Sequence, residues 1–111
     1  MEKLEFYRNK IKELISEYAS YSYAYGEIES QAIFDTEHDH YQLVRMGWEG
    51  KKRVYGCVMH FDIKDNKIWI QCNFTDVDIA KELVDMGVDK EDIVLGFHPA
   101  YLRPYTDYAV G

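Results

Sequence analysis

Cysteine, proline, basic charge and long apolar runs are all scarce in this chain of 111 residues, and each scarcity removes a class of explanation. The two cysteines, Cys57 and Cys72, read as reduced core residues rather than a disulfide, which points to the cytoplasm. No apolar run approaches the ~20 residues that a membrane span needs. The N-terminal MEKLEFYRNK is amphipathic and mixed in charge, unlike a secretory signal. The two prolines, Pro99 and Pro104, fall together near the end and exclude a regular helix there. Thirteen Lys and Arg against twenty Asp and Glu give a net charge of −7, poor footing for gripping a phosphate backbone. Also missing are a glycine-rich phosphate loop, a CxxC pair, a nucleophile elbow and a His-Glu-x-x-His helix. Nothing in the sequence therefore calls for a catalytic group, a cofactor or a metal. Repeats, low-complexity tracts and linkers are absent too, so residues 1–111 fit a single domain.

What the chain does have is a hairpin. Residues 52–74 hold two apolar-rich runs around Asp65-Asn66, a two-residue turn signal. That turn sets Lys64 opposite Lys67, Ile63 opposite Ile68, Phe61 opposite Ile70, Met59 opposite Cys72 and Cys57 opposite Phe74. The last four pairs are apolar and share a face, because strand side chains alternate. His60, Asp62, Trp69, Gln71 and Asn73 fall on the other face, which is polar apart from Val58 and the tryptophan.

Before the hairpin, Leu4, Tyr7, Ile11, Leu14, Ile15 and Tyr18 recur at helical steps and predict an amphipathic helix from Glu2 to about Tyr21. Gly26 supplies its stop, and Tyr21, Tyr23 and Tyr25 either form a binding strip or, as such residues more often do, wrap the helix end onto the sheet. Residues 27–34 and 41–48 predict two strands, joined by DTEHDH and followed by the turn EGK. A loop of two or four residues before Arg53 puts Val44, Met46 and Trp48 on the hairpin's apolar face. A three-residue loop chooses Tyr41, Leu43 and Arg45 instead; the first option is preferred. After the hairpin, Thr75-Asp76-Val77-Asp78 has the form of a helix start, Ile79, Ala80, Leu83 and Val84 make the stripe, and Gly87 ends it. Residues 93–95 read as a further strand or edge, and the apolar tail is pinned to the body or a partner. The expected fold is α+β. It has an N-terminal amphipathic helix, a four-stranded antiparallel meander open to a fifth strand, a second helix on the same sheet face and an extended C-terminal tail.

Several residues are candidates for chemistry. His38 and His40 offer two imidazoles to a metal, although a solvated strand connection explains the pair better without a third ligand. His60 and Asp62 share the outer face as an acid–base pair or as ordinary polar residues on a wet strand. His98, before Pro99, anchors the tail as readily as it catalyses. Asp76, Asp78, Asp85, Asp89, Glu91 and Asp92 form an acidic cluster that helix-start preference largely explains. Lys51, Lys52 and Arg53 sit at one end of the hairpin and Lys64 and Lys67 at the other, without a broad basic stripe. Trp69 lies opposite Asp62 on the face that neither helix covers. The expected partner surface is therefore Trp69 with His60, Asp62, Gln71 and Tyr41, because exposed aromatic surface concentrates at interface hot spots. In the competing reading the C-terminal tail folds back over Trp69.

The strings FDTExDHYQL, RVYGCxxHxDIKD, KIWIQ, KEDIVLGFHP and R-x-Y-T, spread along the chain, resemble the XisI family, the fdxN-element excision controlling factors of cyanobacteria. The likeness covers essentially the full length. It departs where Cys72-Asn73-Phe74 replaces a small polar turn and where Ala100 replaces a proline. The resemblance implies a part in programmed DNA excision during heterocyst development, alongside a site-specific recombinase and a companion XisH-type factor. It carries over no catalytic or binding residue. The leading expectation is a non-enzymatic control subunit that binds protein, as a homo-oligomer or with the companion. Next comes a DNA-binding directionality factor with Lys51, Lys52, Arg53 and Arg103 on phosphates, then a hydrolase using His60, Asp62 or His98.

Overall fold

The computed structural model describes residues 3–21 and 27–111. The helix α1 (Lys3–Ala19) is followed by the strands β1 (Glu27–Asp35), β2 (His40–Glu49), β3 (Lys52–Lys64) and β4 (Lys67–Asn73). The helix α2 (Ile79–Asp85), a 3-10 turn (Lys90–Asp92), the strand β5 (Ile93–Leu95) and a second 3-10 turn (Arg103–Tyr105) complete the chain. The sheet order is β1-β2-β3-β4-β5, antiparallel except that β5 runs parallel to β4. Both helices pack on one face, so the architecture is the expected α+β with the fifth strand realised. The expected start at Glu2, the stop at Gly26 and Tyr23 and Tyr25 lie outside the described residues. No helix among the described residues is long and apolar enough to cross a membrane.

The central hairpin forms as its turn dictates. Asp65 and Asn66 have φ of 56° and 63°, the left-handed pair that a two-residue hairpin loop demands and that Asp and Asn tolerate. Lys64 pairs with Lys67, Ile63 with Ile68, Asp62 with Trp69 and Phe61 with Ile70. Phe61 and Ile70 are fully buried beneath the helices, with Tyr7, Ile11, Leu14 and Ile15 of α1 and Ile79 and Leu83 of α2. Beyond Phe61 the register slips: His60 pairs with Cys72 and Met59 with Asn73, so Gln71 is an extra residue in β4. The expected Met59–Cys72 and Cys57–Phe74 pairs do not form, and Phe74 is exposed.

A second bulge decides the faces of β2. Its loop to β3 is Gly50-Lys51, two residues long, with Glu49 opposite Lys52. From there the ladder runs unbroken to Val44 opposite Cys57, and then steps to Leu43 opposite Met59, leaving Val58 extra in β3. The loop length preferred from sequence is present, yet Tyr41 and Leu43 face the helices, and Val44 is buried outside that core. One inserted residue exchanges the two faces of the strand.

The helix start at residues 75–78 is a turn followed by a cap. Asp78 is the N-cap, accepting from the Lys81 backbone N–H at 3.1 Å, while Thr75 bonds back to Asn73 Oδ1 at 2.6 Å. The tail is also not extended. Pro104 is the second residue of the Arg103–Tyr105 turn, where its fixed φ is compatible with a helical turn, and Ala109 then bridges Val94 of β5.

Candidate functional site

The bulge at Val58 brings His40 opposite Asp62 and Gln42 opposite His60 on the outer sheet face. His40 Nδ1–H donates to Asp62 Oδ1 at 2.8 Å, and His60 Nε2–H donates to the same oxygen, also at 2.8 Å. Gln71 Nε2–H reaches the other oxygen of Asp62 at 3.2 Å, and Gln42 Nε2–H donates to His60 Nδ1 at 3.2 Å. Gly96 lies directly against this network: a Cβ there would stand 2.7 Å from Gln71 Oε1 and 3.1 Å from the Ile70 carbonyl. His60 and Asp62 are half-buried, while His40 is largely exposed and stacks beside His38 at 6.5 Å.

Burial opposes the charge on Asp62, but hydrogen bonds from His40, His60 and Gln71 outweigh it and hold the carboxyl below its ordinary 3.8. The same contact with Asp62 lifts His40 above its ordinary 6.5. Chemically the cluster is a carboxylate shared by two imidazoles. It can hold a proton at either ring or offer three convergent lone pairs to a cation. Among the hydrogen bonds of the described residues, neither imidazole meets a serine, threonine or cysteine side chain.

The other expected site residues fall elsewhere. Trp69 is 9% exposed, not open: the tail covers it, with Arg103 5.1 Å from the ring centroid and Gly111 against the ring edge. Lys64 lies over the same ring at 4.1 Å, and the indole N–H finds no acceptor. The competing reading of the tail is therefore the observed one, because so apolar a segment buries itself on the nearest aromatic surface. Tyr41 is buried on the opposite, helix-side face and donates to Asp39 Oδ1 at 2.8 Å. Asp39 also receives a bidentate pair from Arg8 of α1 at 2.8 and 3.1 Å, a clamp invisible to spacing arguments because helix and loop are remote in sequence.

Lys51, Lys52 and Arg53 are exposed at the β2–β3 turn, with Arg53 over Trp48 and Tyr55. Arg103 is instead held over Trp69 and donates to the His98 carbonyl at 3.1 Å. Along β3, the distance from Arg53 to Asp62, the partner of Trp69, is roughly 30 Å at strand rise, so these cations do not converge. His98 thus anchors the tail through its carbonyl. The acidic cluster dissolves into separate tasks: Asp78 caps α2, Asp85 pairs with Lys81, and Asp92 takes bonds from Tyr7 and Lys3.

A family model described as XisI protein matches residues 1–110. The chain belongs to the XisI family. It is similar to a solved XisI-like protein from Anabaena variabilis, 52% identical over 98% of this chain and 100% of that one, with a TM-score of 0.92. A second solved protein, described as fdxN element excision controlling factor XisI from Anabaena variabilis, is 35% identical with a TM-score of 0.83, covering 99% of this chain and 100% of that one. No protein of curated function matches the sequence.

Proposed function

We propose that this XisI-family protein is a controlling factor for excision of a DNA element and acts through contact with other proteins, without catalysis of its own. The observation that carries the reading is the 35% identity, over 99% of the chain, to the Anabaena protein described as an excision controlling factor. Its partners on this reading are a companion XisH-type factor and, through it, a site-specific recombinase active during heterocyst differentiation. A second copy of the chain is the other candidate for the same surface.

The surface chemistry supports protein over nucleic acid. Phe74 and Tyr55 are 81% and 69% exposed beside a groove of about 360 Å³, lined also by Arg45, Gly56, Cys57 and Val58. Aromatic area flanked by an arginine is what protein interfaces favour. The net charge of −7 and the scattered cations weigh against a phosphate-binding face.

Two titrations test the reading. With the companion factor, calorimetry should give a stoichiometric complex that Phe74→Ala weakens by about tenfold or more. With labelled element-end DNA at two salt concentrations, binding should stay at the non-specific level. Tight DNA binding with a steep salt slope, lost when Lys51, Lys52 and Arg53 are neutralised, overturns it in favour of a directionality factor that grips phosphates.

A further inference from the structure

His40, His60 and Asp62 converge on the outer face of the sheet, and the proposed function does not use them. We propose that these three side chains are the ligands of a divalent first-row transition-metal ion of the Zn²⁺ class.

The donor atoms already meet. Asp62 Oδ1 is 2.8 Å from His40 Nδ1 and 2.8 Å from His60 Nε2, and all three lie within 4.8 Å of one another. A tetrahedral ion with bonds of about 2.0–2.2 Å holds its donors about 3.3 Å apart. Each imidazole therefore shifts a few tenths of an ångström from the carboxylate while the two rings close on each other. The exposed ring of His40 is free to make that adjustment. The backbone positions are set by two paired strands, His40 against Asp62 and Gln42 against His60, which is a stiffer mounting than a loop.

The surrounding groups are those a metal site requires. Gln71 holds the second oxygen of Asp62, and the Gln42 amide sits 3.2 Å from the far nitrogen of His60. Half a rotation of the Gln42 amide presents its oxygen, so that His60 carries its proton on Nδ1 and turns the Nε2 lone pair to the ion. His40 moves its proton to Nε2. Any further proton that the cluster holds passes to solvent as the ion binds, and no other reactant is needed. Two imidazoles and one carboxylate suit Zn²⁺, Co²⁺ or Ni²⁺, whereas Ca²⁺ and Mg²⁺ want oxygen alone. Three protein ligands leave a tetrahedral position for water or for a donor from outside the chain.

A rival site shares one ligand. His38 stacks on His40 with an interplanar angle of 16°, and such an exposed pair collects metal ions without help from the sheet. The test titrates the full chain, freed of metal with a chelator, with Zn²⁺ by calorimetry and with Co²⁺ by visible absorption. One equivalent should bind, with the intense bands of a tetrahedral Co²⁺ centre. His60→Gln and Asp62→Asn should each lower the affinity by more than about 100-fold, and Gln42→Leu by about 10–100-fold. His38→Ala should leave it unchanged. Circular dichroism must show each variant folded, and where His60→Gln unfolds, Asp62→Asn and Gln42→Leu decide. Binding that survives Asp62→Asn but disappears with His38→Ala overturns the proposal, as does failure of the parent chain to bind either ion.

Discussion

The two faces of the sheet are built on different principles. Beneath the helices, Phe61, Ile70, Ile68 and Met59 meet the apolar Ile11, Leu14, Ile15 and Leu83. On the outer face, polar side chains hold one another: His40, His60 and Gln71 share the carboxylate of Asp62, and a folded tail supplies the cover over Trp69. The helix face is held by area removed from water, which has no preferred direction and tolerates small shifts. The outer face is held by directed contacts, so a displaced atom there loses its partner. Stability belongs mainly to the first face and specificity of chemistry to the second.

The sharpest way to break this contrast is Phe61→Ala. Phe61 is fully buried between β4 and the helices, so deleting its ring should cost about 3–5 kcal/mol, read as a lower urea midpoint with the slope retained. A cost below about 1 kcal/mol would mean the helix face is not the seat of stability.

Trp69 comes next and tests the outer face. The tail that covers it can settle into part of the space, so Trp69→Ala should cost about 2–3 kcal/mol, less than Phe61→Ala. Trp69→Phe should stay within about 1 kcal/mol of the parent, because it also removes a buried N–H that has no acceptor. If Trp69→Ala melts like the parent, the tail does not depend on the ring.

The same contrast explains what could be read from sequence. The helix face follows from periodicity: the stripe from Leu4 to Tyr18, the turn at Asp65-Asn66 and the alternation around Phe61 each specify a face without knowledge of distant residues. The outer site does not follow, because it depends on Val58. Continued without interruption from Glu49 opposite Lys52, the β2–β3 ladder would set His40 opposite Phe61, on the helix side. The extra residue moves the partner of His40 to Asp62 and sends Tyr41 inward. Gly56, two residues before Val58 inside β3, hints at an irregularity, but nothing in the local sequence says which residue is the extra one. The cover of Trp69 is hidden from the sequence for a different reason: it arrives from residues 103 and 111, and Pro104, a bar to regular helix, sits inside the short turn at Arg103–Tyr105.

Polar clamps at the rim of the helix face offer an intermediate case. Arg8 on α1 forks onto Asp39, which sits at φ 60° and also receives Tyr41. Arg8→Ala should cost about 1–2 kcal/mol by leaving a half-buried carboxylate short of donors, and thermal unfolding would show it. Asp39→Ala should cost more than Arg8→Ala, since Asp tolerates the left-handed conformation better than Ala.

The smallest effect is a pH dependence close by in the first turns of α1, where Asp92 receives Tyr7 Oη–H and pairs with Lys3 at 3.1 Å. Burial opposes the charge on Asp92, but the bonds from Tyr7 and Lys3 outweigh it and hold the carboxyl below its ordinary 3.8. A carboxyl lowered by folding stabilises the native state above its unfolded pKa and loses that contribution as pH falls through the folded one. The hydroxyl of Tyr7 is pushed up, first by burial and then by Asp92, so it stays a donor beyond its ordinary 10.0 and imposes no alkaline limit in the working range. Asp92→Asn keeps the shape and removes the charge. Urea midpoints should place the variant about 1 kcal/mol below the parent near neutral pH, the worth of one charge-assisted bond at a partly wet site. The gap should close as pH falls below 3.8, where the parent's own carboxyl takes up its proton. A gap that persists undiminished in acid would mean that Asp92 acts through shape, and that the rim of the helix face is held like its centre.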